Sequence, residues 1–166
     1  MSTIISAIVL AGAAILQSAL LPHFALFGVK VDLVLLLVVT WSIRRGVESG
    51  LVWAMLGGVS IDLLSAGPFG MSIVVFAICA LIAGVVGPSL RRVSIVLPLL
   101  IIPVVAIVAV LTGALVLQVL GRPISWPVIL TMVVLPSVVL DSLAGLVIYP
   151  LVSVADHRFG TPEWQN

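Results

Sequence analysis

Apolar runs long enough to cross a bilayer recur along the whole chain, and this one feature decides what it can fold into. A helical crossing of a hydrocarbon core about 30 Å thick takes about 20 apolar residues. In lipid every backbone amide and carbonyl must find its partner inside the protein, so such runs take the form of helices. Read in order, they predict spans at 3–21, 31–43, 48–65, 68–88, 94–120 and 125–154. The 166 residues are 63% hydrophobic and 8% charged, where soluble domains run near 45–50% and 25%. Seven Lys and Arg with six Asp and Glu could not keep so large an apolar core dissolved. The expectation is an all-α integral membrane protein with six transmembrane helices, a single domain over 1–166, without repeats or a loop that could hold a soluble domain.

Several spans carry local complications. Met1 to Leu21 has no basic lead-in and holds Gln17-Ser18 within it, so it reads as a retained first span rather than a secretory signal. The second run, Val31 to Ile43, is about 13 residues and about 20 Å as a helix, short for an upright crossing. It reads as a short span whose ends snorkel, with a re-entrant segment as the competitor. Pro98 and Pro103 suggest a tilt or kink early in the fifth span, and Pro136 divides the sixth run, which fits a kinked span or an interfacial helix plus a span.

Six crossings place Arg44, Arg45, Arg91, Arg92 and Arg158 on one side and Lys30 and Arg122 on the other. The positive-inside rule then puts both termini in the cytoplasm, with Arg44, Arg45, Arg91 and Arg92 as cytoplasmic basic anchors that could also attract anionic lipid or an acidic partner. Trp41 and Trp126 read as interface anchors. The formal net charge of +1 gives no reason to expect a nucleic-acid partner.

The stretch from Gly50 to Gly70 is the most informative. Gly50, Ala54, Gly58 and Asp62 recur every four residues and share one helical face. A strip of small residues lets another helix approach closely, and a carboxylate at its end points into protein rather than lipid. These four residues are candidates for helix packing or a partner interface. Asp62 can be read as structural, as a proton or ion site, or as a partner contact. Lys30 and Asp32 are expected with it in a polar cluster near the outer face. Lys30, or failing that a hydroxyl or backbone donor beside it, would pair with Asp62, the alternative being that Asp62 reaches water at the Gly67-Pro68 turn; the first-turn amides of its own helix would hold Asp32. Asp141, just after the Pro136 break, reads as mainly structural.

Catalytic chemistry finds little material. The chain lacks a His-Glu-x-x-His motif, a Gly-rich phosphate loop and a paired-acid metal motif. His23 and His157 lie far apart at span ends, and Cys79 is the one cysteine, so neither a disulfide within the chain nor a cysteine metal cluster can form. No cofactor or metal is expected, and the reading is non-enzymatic.

The order of features resembles the rod shape-determining protein MreD family. Leu16-Gln17-Ser18 closes the first span, and Asp32-Leu33 opens a Leu/Val run ending Trp41-Ser42-Ile43-Arg44-Arg45-Gly46. Gly50, Gly57-Gly58, Asp62-Leu63-Leu64, Gly67-Pro68-Phe69-Gly70 and a late Tyr149-Pro150-Leu151 follow. The likeness is best from Gln17 to Gly70 and thinnest from Arg91 to Leu140, and it departs at Val31, where family members usually carry Pro. The resemblance implies a membrane scaffold of the bacterial cell-elongation machinery in the cytoplasmic (inner) membrane. Its partner would be MreC, linked indirectly to MreB, RodA and its transpeptidase in support of peptidoglycan synthesis. It also implies a span layout similar to the substrate-binding subunits of energy-coupling vitamin transporters. The alternative function is a small-molecule binding subunit or carrier, which would need a cavity with convergent polar groups.

Overall fold

The computed structural model describes residues 3–20, 31–65, 67–93, 100–123 and 125–159, and these are helical with short connections. Helices α1 (Thr3–Leu20), α2 (Leu33–Arg45), α3 (Val47–Leu64), α4 (Met71–Val93) and α5 (Ile101–Val119) are followed by one continuous helical run. That run is α6 (Trp126–Val128), a π-helical segment (Ile129–Val134) and α7 (Leu135–Phe159). Four stretches among the described residues are long and apolar enough to cross a membrane: Val47–Leu64, Met71–Leu90, Ile101–Val119 and Trp126–Val152. Lys30 lies outside the described residues.

The shortness of the second run has its explanation in packing. Helix α2 buries nine of its 13 residues, from Val34 round to Ile43, which leaves it no lipid-facing side. A helix apolar all round is a core helix, and α2 packs on α3, α4, α7, α1 and α5. Protein surrounds it, so its length need not match the hydrocarbon thickness.

Gly46 joins α2 to α3 by itself, with φ +87°, a backbone conformation that side chains beyond glycine resist. Its amide closes α2 on the Ser42 carbonyl at 2.8 Å. The small residues of α3 then meet neighbours in turn. Gly50 faces the Ser42 side chain of α2, Ala54 is fully buried, and Gly58 lies against the backbone of Ile73 in α4. A methyl placed on Gly58 would fall 2.6 Å from the Ile73 Cα, so the two backbones are in direct contact there. Helix α4 has its own close-approach residues, Gly84 against Val47 and Gly87 against Ile43.

Pro98, expected with Pro103 to bend the start of the fifth span, lies outside the described residues. Helix α4 runs through Pro88 to Val93 rather than ending there. Helix α5 begins at Ile101, so Pro103 sits in its first turn, where a missing N–H costs no helical hydrogen bond and no kink is required. Before Pro136 the chain winds as a π-helix over Ile129–Val134. The wider turn shifts the hydrogen-bond register ahead of the residue that cannot donate, and helical backbone runs on from there as α7.

Trp41 is also corrected. It is 5% exposed and stacks on Trp53 with ring centroids 4.4 Å apart, while the Arg45 guanidinium carbon lies 5.6 Å from the Trp41 ring centroid. It is a core residue rather than an interface anchor, with the last-turn arginine drawn over its face.

Candidate functional site

A helix that starts inside a bundle must find partners for its first amides, since bulk water cannot supply them. At the start of α2 three side chains from three elements do this. The Asp32 carboxylate accepts the Leu35 N–H at 3.0 Å as an N-cap. The Gln17 carbonyl oxygen, from α1, accepts the Val34 N–H at 3.1 Å. The Asp141 carboxylate, from α7, accepts the Asp32 N–H at 3.1 Å. Gln17 completes the set by donating its amide N–H to Asp32 Oδ1 at 3.1 Å. Negative groups at a helix N-terminus also meet the positive end of its dipole.

Asp62 does the same for another helix. Its two oxygens accept the Gly70 N–H at 2.8 Å and the Ser72 N–H at 3.1 Å, which caps the first turn of α4 from across the Gly67–Gly70 turn. It is 6% exposed, and its partners are backbone donors with no ion pair among the described residues. The expected Asp32–Asp62 cluster therefore divides. Asp32 joins Gln17 and Asp141, and Asp62 joins the start of α4. Arg44 and Arg45 occupy the last turn of α2, where cations suit the helix dipole, and Arg91 and Arg92 lie in the last turn of α4.

Between α2, α4, α5 and the last helical run lies a cavity of about 450 Å³. Its wall is mainly apolar, with Phe76, Val110 and Ala109 among the lining residues, and Asp32, Asp141, Ser72 and Ser137 supply its polar side chains. No group of three or more His, Cys, Asp or Glu able to hold a metal ion occurs among the described residues.

Sequence reasoning missed the Gln17–Asp32–Asp141 junction. Its signal was present, since an amide and a carboxylate inside apolar runs call for partners, but nothing local says that the two find the same one. The fold and the junction define an all-helical integral membrane protein whose buried carboxylates are spent on helix N-termini. The family model of the rod shape-determining protein MreD matches residues 1–154, and the chain belongs to that family. No curated protein and no solved structure matches it. Membership carries a role in rod-shape determination.

Proposed function

We propose that the protein is a non-enzymatic scaffold of the cell-elongation machinery, binding an MreC-like membrane protein and through it supporting peptidoglycan synthesis with MreB, RodA and its transpeptidase. The family match over 1–154 carries this reading. It is supported by the use of Asp62 and Asp32 as caps, which gives both an architectural task. In this proposal the chain crosses the cytoplasmic membrane six times with both termini inside, and the basic anchors Arg44, Arg45, Arg91 and Arg92 face the cytoplasm. The strip at Gly50, Ala54 and Gly58 acts indirectly, by holding α3 to α2 and α4 so that the outer faces present a fixed surface to the partner.

Depletion should turn rod-shaped cells into spheres, and the tagged protein should co-purify an MreC-like partner from membranes. Rods that persist on depletion, with no such partner captured, would overturn the proposal. Topology is checked by cysteine labelling, for which the fully buried Cys79 gives no background. Cysteines at the exposed positions Glu48 and Arg122 should label from the cytoplasmic and the outer side respectively. Labelling of both from one side would remove the six-crossing arrangement. The cavity beside Asp141 favours a second reading, ligand binding, on independent grounds.

A further inference from the structure

The cavity between α2, α4, α5 and the last helical run has two properties that the scaffold reading does not use. At about 450 Å³ it falls in the range of small-molecule sites. It owes its space to small residues on α5, where Ala106, Ala109, Gly113 and Ala114 line it in place of larger side chains. Its acidic wall is formed by Asp32 and Asp141, linked by the Asp32 N–H bond to Asp141 Oδ1 at 3.1 Å. Asp141 is 4% exposed, yet among the described residues that one amide is its only partner, through one oxygen. Among the described residues its other oxygen has no donor, in a wall that is otherwise mainly apolar.

Two adjacent carboxylates in a low-dielectric wall favour a cation, and the rest of the cavity says which kind. A hard metal ion needs about six to eight oxygen ligands. Here Asp32 Oδ1 and Asp141 Oδ1 already accept from amides, which leaves only the second oxygen of each carboxyl and the hydroxyls of Ser72 and Ser137. An organic ammonium needs only the carboxylates, and its carbon body suits Phe76, Val110 and Leu35. We infer that this cavity binds an amphiphile with a primary ammonium group, the ammonium at Asp141 and Asp32 and the apolar body against α4 and α5. The ammonium can belong to a lipid headgroup or to a free amphiphilic amine.

The test uses the full chain in an uncharged maltoside micelle, with unfolding followed by tryptophan fluorescence. Dodecylammonium should raise the melting temperature in a saturable way, and dodecanol, of the same chain length, should not. Added phosphatidylethanolamine should reproduce the rise if the source is a lipid, with phosphatidylglycerol inert. A rise with dodecylammonium alone points to a free amine. Asp141→Asn keeps an oxygen for the Asp32 amide while removing the charge, and it should weaken dodecylammonium binding by at least about tenfold. Ala109→Phe fills the cavity without touching the carboxylates and should abolish binding, so the test survives if the Asn variant fails to fold. No response to either ammonium compound, an equal response to dodecanol or phosphatidylglycerol, or an unchanged response in Ala109→Phe would overturn the inference.

Discussion

Replacing Gly58 with alanine probes a direct contact between the backbones of α3 and α4. The added Cβ would stand 2.6 Å from the Ile73 Cα and 2.7 Å from its nitrogen, and comfortable contact begins at 3.4 Å. The obstacle is main chain, which cannot rotate aside as a side chain could. Helices α3 and α4 must therefore separate locally by about 0.8 Å. Overpacking by one methyl costs about 1–3 kcal/mol. The same displacement would pull the Ser72 amide, now 3.1 Å from Asp62, out of hydrogen-bond range, adding about 1 kcal/mol. The expected loss is about 2–4 kcal/mol, and Gly58→Leu should exceed it or prevent folding. Gly12→Ala is the matched control, since a methyl there meets nothing within 4 Å and should be neutral or stabilising by up to about 1 kcal/mol. Reversible unfolding in mixed micelles, read by near-ultraviolet circular dichroism, gives the difference. A Gly58→Ala protein within about 0.5 kcal/mol of the parent would refute the close approach, since only substitutions away from tight packing are so mild.

Substitutions at three further positions test the polar groups. Asp62→Ala strands the Gly70 and Ser72 amides and should cost about 1–3 kcal/mol for each, with Asp62→Asn milder because one acceptor remains; faster hydrogen exchange at those two amides is the direct readout. Gln17→Leu removes both the acceptor for Val34 and the donor to Asp32, so it should destabilise by about 2–4 kcal/mol in the same unfolding assay. Gln17→Glu should be at least as harmful, because it sets a third carboxyl group beside Asp32 and Asp141. Thr40 is fully buried, and among the described residues its hydroxyl has no hydrogen-bond partner. Thr40→Val should thus be neutral or raise stability by about 1 kcal/mol, and a clear loss would reveal a partner for the hydroxyl.

The residues alone determined the class of fold and much of its segmentation. Long apolar runs admit only helices in lipid, and the breaks at Gly46 and at Gly67–Gly70 fall where the chain turns. The four-residue spacing from Gly50 to Asp62 placed that face toward protein, because small residues and a carboxylate have no reason to meet lipid. The ordered motifs also sufficed for the family. Tertiary structure alone decided the rest. That Trp41 turns inward to Trp53, that α2 is wrapped on every side, and that Asp141 serves Asp32 across 109 residues are not written in any local pattern. In water a helix advertises its buried face by contrast with a polar one. In a membrane both the lipid-facing and the protein-facing sides are apolar, so periodicity loses its power to say which way a residue points. Orientation is then set by which helices touch, and only the assembled bundle specifies that.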